Sequence, residues 1–229
     1  RYLAVTGVQT CALPIFGSLT AILITHTHAD HISGLQTLLK RCAAPVFTTE
    51  RAARELSWRL PGAETRLDAL DFGIPQSIGE FAVTAFPTSH DAPGSCGFRL
   101  DAAGGAVGVL TDTGYVTDEA ADILEGVDLA VLEANHDIET LRSGPYPYYL
   151  KQRILGAQGH LSNEDAARFA AVLAQSGTSE IILAHLSREN NTPAMAQTAV
   201  ERALSAAGVS PLLSVAPRDC LGPAHTVSR

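Results

Sequence analysis

Short apolar runs alternate with helical spacing along this chain, and polar residues separate them. Residues 19–24 form an apolar, β-branched run of strand length, whereas residues 34–42 repeat leucine at helical intervals. The whole pattern predicts strands at 19–24, 46–48, 67–74 (strand and turn), 81–86, 96–100, 106–110, 127–132, 181–184 and 212–215, and helices at 34–42, 49–60, 117–124, 162–175 and 193–207. Because strands and helices interleave, we predict an α/β layered fold.

Several chemically active side chains follow predicted strands. They are His26, His90, Asp112, Glu133 and His185. Ligand and catalytic groups on loops at strand ends are typical of a site held by a rigid scaffold. We therefore expect these side chains to meet.

Residues 25–31, Thr-His-Thr-His-Ala-Asp-His, carry the densest chemistry. In an extended backbone, residues two apart point the same way, so His26 and His28 would face one metal ion. Asp30 and His31 lie further round the turn and would face elsewhere. Imidazole and carboxylate are ligands that borderline divalent ions accept. A single histidine is often a packed core residue, but three within six positions indicate a dinuclear metallohydrolase site.

The length and composition of the chain are those of a globular protein. The chain has 229 residues, of which 46% are hydrophobic and 17% are charged, so it suits one α/β domain or two small ones. No apolar run approaches the roughly 18 residues needed to span a bilayer, so we expect no membrane partner.

The four cysteines are far apart, which suits free thiols in a reducing cytoplasm. A net charge of −8 argues against broad electrostatic capture of nucleic acid. Bound divalent cations would offset that charge locally.

The order His-x-His-x-Asp-His, followed by single residues after later strands, resembles the metallo-β-lactamase fold. Residues 132–137, 142–147, 159–163 and 184–187 resemble the YycJ-like (WalJ-like) branch of that fold. The resemblance implies an αββα four-layer sandwich. It also implies a metal-dependent phosphodiesterase, with double-stranded DNA as substrate and 5′-to-3′ exonuclease activity; the pattern predicts no oligomeric state.

The resemblance also implies which residues bind metal. One ion would take His26, His28 and His90, and the other Asp30, His31 and His185, with Asp112 bridging them. Two divalent ions of zinc or manganese, with iron as a further candidate, would lower the pKa of a shared water so that hydroxide attacks the phosphorus. Asp30 and His160 are the predicted catalytic residues. His160 would contact substrate phosphate or protonate the leaving oxygen; alternatively, it only begins a helix.

Other functions remain open at this stage. A small-molecule phosphodiesterase suits the acidic charge. Thioester and lactone hydrolases share the first motif, although their next histidine usually stands in a Gly-His-Thr turn, unlike the Thr-Ser-His-Asp turn that holds His90. An inactive metal-binding fragment is the non-enzymatic alternative. Residues 142–153 mix tyrosines with Arg and Lys, which indicates either a surface that binds phosphates and bases or a solvated loop packed by its tyrosines.

The N-terminal segment differs from the rest of the chain. Residues 5–15 match the translation of a sequencing-library adapter, so we predict that residues 1–16 are non-native and that 17–229 form the domain. The family's first strands, and the Asp-x-Gly turn that supports its metal loop, would then be missing. We expect such a chain to be poorly stable and weakly active.

Overall fold

A computed structural model describes residues 19–227 of the chain. The adapter-like residues 5–15, and the boundary predicted between residues 16 and 17, lie outside this range. The non-native segment and its consequences for stability therefore stay predictions.

Ten strands and eight α-helices are described between residues 19 and 227. The strands are β1 (Ile22–Leu23), β2 (Val46–Thr49), β3 (Leu67–Leu70), β4 (Gln76–Ile78), β5 (Phe81–Pro87), β6 (Cys96–Ala102), β7 (Gly105–Leu110), β8 (Leu129–Glu133), β9 (Glu180–Ala184) and β10 (Leu212–Val215). The helices are α1 (Ala29–Ile32), α2 (Leu35–Leu39), α3 (Glu50–Arg59), α4 (Asp118–Leu124), α5 (Ile138–Ser143), α6 (Tyr148–Leu155), α7 (Asn163–Gln175) and α8 (Pro193–Ala206).

The strands form a large and a small sheet. The large sheet has the order β10-β9-β8-β7-β6-β5-β4, and the small one has the order β1-β2-β3. Strands β7 to β10 pair in parallel, whereas β4 to β7 pair antiparallel. Because β7, β8 and β9 run in the same direction, their carboxyl ends meet at one edge of the sheet.

Three apolar clusters hold the layers together. Phe47 and Leu70 of the small sheet pack against Val83, Phe98 and Val109 of the large sheet. A second cluster joins the other face of the large sheet to α4, α7 and α8. A third joins the small sheet to α1, α2 and α3. Two sheets enclosed by two helical layers confirm the predicted αββα sandwich.

The starts of several helices follow ordinary capping chemistry. The side chains of Thr49, Thr117 and Ser162 each accept a hydrogen bond from the backbone N–H three residues later, at the starts of α3, α4 and α7. Pro193 stands in the first turn of α8, where its missing N–H costs nothing. These caps explain why the helix starts were predictable from local sequence.

The structure differs from the sequence pattern in several places. Strand β8 spans Leu129–Glu133, whereas residues 127–132 were expected, and β4, α1, α5 and α6 were not predicted. The loop interpretation of residues 142–153 is wrong for their second half, because Tyr148–Leu155 is helical. Helix α6 has no side-chain N-cap, so the usual sequence signal of a helix start is missing. Within residues 19–227, none of the helices combines the length and apolar composition that spanning a bilayer requires.

Gly97 allows the three antiparallel strands β5, β6 and β7 to approach closely. A Cβ at this position would lie 2.4 Å from the Phe86 ring and 2.6 Å from the Val109 carbonyl oxygen. We predict that Gly97→Ala lowers the free energy of unfolding by about 1–3 kcal/mol through overpacking. Chemical denaturation measures the change, and Gly34→Ala is the control because nothing lies within 4 Å of a Cβ there. Equal stability of the two variants would contradict the packing account.

Candidate metal centre

The sequence-predicted metal ligands converge on one edge of the two sheets. Each follows a strand: His26 and His28 lie on the loop after β1, Asp30 and His31 on the short helix α1 that comes next, and the others on the loops after β5, β7 and β9. The seven residues are His26, His28, Asp30, His31, His90, Asp112 and His185. The structure therefore brings together side chains that are up to 159 positions apart in the sequence.

The first group of ligand atoms contains His26, His28 and His90. One ring nitrogen from each lies within 4.8 Å of the others. His28 Nδ1 is 3.2 Å from His90 Nε2. Burial is the largest influence on His26 and lowers the pKa of this residue to about 3, so its ring is neutral near pH 7. A neutral imidazole is the form that binds a metal ion.

Asp30, His31 and His185 form the second group, and their ligand atoms also lie within 4.8 Å of one another. Asp30 Oδ2 is 3.6 Å from His31 Nε2 and 3.8 Å from His185 Nε2. The interaction with His185 lowers the pKa of Asp30 below its usual value. Asp30 is therefore an ionised carboxylate facing two imidazoles.

Asp112 lies between the two groups. Its Oδ1 is 3.8 Å from His90 Nε2 and 3.6 Å from His185 Nε2, and its Oδ2 is 3.3 Å from His31 Nε2. Burial alone would raise the pKa of Asp112, but the surrounding imidazoles, His185 foremost, hold it well below the usual value. One ionised carboxylate thus faces ligands of both groups, which is the position of a bridging group.

Two polar atoms at the centre of this arrangement suit a cation. His26 Nε2 and Asp112 Oδ2 are buried, and neither has a hydrogen-bond partner among residues 19–227. Asp112 Oδ2 and His31 Nε2 face each other at 3.3 Å without forming a hydrogen bond. Buried polar atoms without partners are costly. Nitrogen and oxygen atoms that converge in this way are what a divalent transition-metal ion requires, so the residues fit the metal that the pattern predicts.

Glu133, at the end of β8, holds several parts of the centre in place. Its Oε1 accepts hydrogen bonds from His160 Nδ1 at 2.9 Å and His185 Nδ1 at 2.8 Å. Its Oε2 accepts from the backbone N–H groups of Thr113 and Leu161. Because Glu133 is wholly buried and bonded through both oxygens, it orients the two rings and keeps their Nε2 atoms available.

Other acceptors and donors orient three more of the rings. His90 Nδ1 donates to the Gly159 carbonyl oxygen at 2.9 Å. Thr25 Oγ1 is 3.1 Å from His26 Nδ1 and 3.2 Å from His31 Nδ1. In each case the contact engages one ring nitrogen and leaves the other for the centre.

Backbone strain is concentrated at the same place. Asp112 and His185 are the non-glycine residues with positive φ between residues 19 and 227, at 59° and 57°. This left-handed conformation is unfavourable for residues with a Cβ and persists where the surrounding structure enforces it. Here it turns both side chains inward directly after β7 and β9.

Some contacts at the centre had no signal in the sequence. Thr27, between two of the histidines, donates to Glu55 Oε2 at 2.7 Å, and its carbonyl oxygen accepts from Arg59 Nη1 at 2.9 Å. Helix α3 therefore anchors the histidine loop. Asp91 Oδ1 is 3.4 Å from His28 Nε2, and only its position next to His90 could have suggested a role.

His160 lies beside the two groups rather than within either. Its ring centroid is 5.0 Å from that of His90 and 5.4 Å from that of His185. Burial lowers the pKa of His160, but the carboxylates of Glu133 and Asp112 outweigh this effect, and the net shift is upward. The alternative of a residue that only begins a helix is incomplete, since Ser162 supplies the cap of α7.

Comparison with known proteins places this geometry in a family. The beta-lactamase superfamily domain matches residues 8–186. Exodeoxyribonuclease YycJ of Bacillus anthracis is 36% identical over 192 residues, covering 82% of this chain and 72% of the relative. Exodeoxyribonuclease WalJ of Streptococcus pneumoniae is 39% identical over 192 residues, covering 82% of this chain and 71% of the relative. The chain belongs to the YycJ/WalJ family of the beta-lactamase superfamily.

Solved structures share the fold of this YycJ/WalJ family member. YhfI of Bacillus subtilis, a metallo-beta-lactamase fold protein, has a TM-score of 0.66 at 20% identity, covering 87% of this chain and 76% of that one. A diphosphatase from the PhnP family has a TM-score of 0.62 at 18% identity, covering 92% and 73%. Superfamily membership and the clustered ligand atoms identify this chain as a metal-dependent hydrolase that binds divalent metal.

Removing the charge of Glu133 tests its orienting role. A Glu133→Gln side chain cannot accept all four hydrogen bonds, so the rings of His160 and His185 lose their fixed orientation. We predict that metal affinity falls by about 10–100-fold, measured by competition with a chelating dye. Glu139→Gln on α5 is the control, since the Glu139 side chain is 83% exposed. Unchanged affinity in folded Glu133→Gln protein would refute the role.

The buried histidine His136 is expected to make the free energy of unfolding depend on pH. The residue is 1% exposed, and neither ring nitrogen has a hydrogen-bond partner among the described residues. Burial lowers its pKa from 6.5 to about 4, although the Glu133, Asp165 and Asp137 carboxylates partly oppose this. The unfolded state therefore binds a proton first as pH falls, and the contribution of His136 to stability, complete above pH 6.5, is lost towards pH 4.

We predict that His136→Leu flattens this acid dependence. The slope of unfolding free energy against pH should fall by up to about 1.4 kcal/mol per pH unit over this window. Denaturant titrations at several pH values give the slope. Parallel curves for the variant and the parent would show that His136 does not carry the effect.

Proposed function

We propose that this protein is an exodeoxyribonuclease that hydrolyses phosphodiester bonds in DNA with a pair of divalent metal ions. The observation that carries the proposal is the convergence of the predicted ligand set around Asp112, in a chain 36–39% identical to relatives named exodeoxyribonucleases. Their names also support DNA as the substrate. The 5′-to-3′ direction is part of the proposal and comes from the family resemblance.

Each group of ligands would hold one ion. His26, His28 and His90 supply three ring nitrogens, and Asp30, His31 and His185 supply two nitrogens and an oxygen, while Asp112 would serve both sides. Divalent ions held there would lower the pKa of water and offset the charge that develops on the phosphoryl oxygens. Nitrogen and oxygen ligands of this kind accept zinc or manganese, and iron is the third candidate.

His160 is placed to act on substrate. Its Nδ1 donates to Glu133, so Nε2 is the nitrogen left for a phosphate oxygen or the leaving oxygen. It also lines the cavity that opens beside the ligand groups. We assign it the role of phosphate contact or proton donor, with Glu133 as the residue that fixes its orientation. Asp30, 66% exposed and facing His185, is the ligand nearest solvent and would also orient the reacting water.

The alternatives have less support. Thioester or lactone hydrolysis and a non-catalytic role would leave the identity to the nuclease relatives unexplained. A small phosphodiester substrate uses the same chemistry, so a turnover experiment must include it. The described cysteines Cys42, Cys96 and Cys220 are free, which supports the proposal of a reducing cytoplasm.

The test is cleavage of 5′-labelled and 3′-labelled duplex DNA with zinc or manganese, beside a thioester and an aryl phosphodiester. We predict progressive shortening of DNA from the 5′ end and the loss of this activity on chelation. Asp112→Asn should reduce turnover on the order of 100-fold or more, since a bound metal ion supplies several kcal/mol of transition-state stabilisation. Asp122→Asn, at an exposed position on α4, is the matched control. Thioester turnover without DNA turnover would overturn the proposal.

A further inference from the structure

A cavity of about 250 Å³ opens beside the metal ligands. His90 and His160 line its inner end, next to Asp112. Its other walls come from the loop before α6, from α6 itself and from the loops after β8 and β9. Pockets for drug-sized ligands occupy roughly 300–1,000 Å³. The space therefore suits one nucleoside and excludes a duplex.

One wall of the cavity is apolar and aromatic. Tyr146 lies just before α6, and Leu150 and Ile154 are four positions apart on the helix, so they share a face. All three are half-buried. A flat aromatic ring beside two aliphatic side chains offers a surface on which a nucleobase can stack.

Arg153 lies at the rim between this wall and the metal ligands. Its Nε donates to Asp91 Oδ2 at 2.5 Å, while Asp91 Oδ1 is 3.4 Å from His28 Nε2 and 3.7 Å from His90 Nε2. The Arg153 side chain remains 57% exposed. A guanidinium held in this way can donate its remaining N–H groups to a phosphate beside the metal site.

We propose that this cavity binds the nucleoside next to the scissile phosphate, with Tyr146 stacking on the base and Arg153 contacting a phosphate oxygen. The proposal rests on the proposed function and deepens it. It gives a physical reason for action at strand ends, because a single terminal nucleotide, unpaired from its complement, fits where a duplex does not. It also selects between the two interpretations of residues 142–153 in favour of substrate binding.

Two polar side chains that line the cavity are already hydrogen-bonded within the protein. Asn135 Nδ2 donates to the His185 carbonyl oxygen, and Ser187 Oγ accepts from the N–H and Nδ2 groups of Asn190. These contacts leave stacking on Tyr146 and the phosphate contact of Arg153 as the interactions on which the proposal depends. Every base has a π face, so stacking on Tyr146 is open to each of the four nucleotides.

The test compares binding of thymidine 5′-monophosphate, thymidine 3′-monophosphate and inorganic phosphate to the manganese-loaded protein by calorimetry. At least one nucleotide should bind about ten-fold or more tightly than phosphate, as expected for one stacked base. Tyr146→Ala should remove that preference and Tyr146→Phe should keep it. Tyr148→Ala is the control, because Tyr148 is 76% exposed and does not line the cavity. Arg153→Gln should weaken both nucleotide and phosphate.

The two proposals fail in different ways. Equal affinities of the parent protein for nucleotides and phosphate, or a preference that survives in Tyr146→Ala, would overturn the nucleoside subsite even if DNA is cleaved. Loss of the preference in Tyr146→Phe or Tyr148→Ala would also overturn it, since it would point to a general disturbance of α6. Absence of DNA turnover together with an intact nucleotide preference would instead reject the exonuclease assignment and leave the subsite standing.

Discussion

The burial of Asp112 among five imidazoles is the constraint on which the rest of the site depends. An ionised carboxylate with an unpaired oxygen, beside a neutral histidine whose Nε2 also has no partner, would be costly in an apolar protein interior. A divalent cation resolves both costs at once. The left-handed backbone at Asp112 and His185 and the four hydrogen bonds accepted by Glu133 serve the same arrangement.

The fold supplies this arrangement through the direction of its strands. Parallel β7, β8 and β9 deliver Asp112, Glu133 and His185 to one edge, while β1 of the small sheet delivers the histidine loop from the facing layer. Helix α3 then fixes that loop through Thr27. The site therefore lies where the two sheets meet, and a rigid scaffold holds ligands that come from distant parts of the sequence.

Local patterns made much of this predictable. Strand-length apolar runs and threonine caps are determined by neighbouring residues, and the dense histidine motif has few explanations other than metal. Helix α6 was missed because no capping side chain marks its start. Three supporting residues act through contacts that form only in the folded structure: Asp91, Glu55 and Thr25. Their spacing along the chain does not predict these roles.

The most direct test of the account is anomalous diffraction from crystals grown with manganese. The account predicts two peaks, one contacted by His26, His28 and His90 and the other by Asp30, His31 and His185, with Asp112 touching both. Peaks elsewhere on the surface, or a single peak on Glu133 and His160, would contradict it.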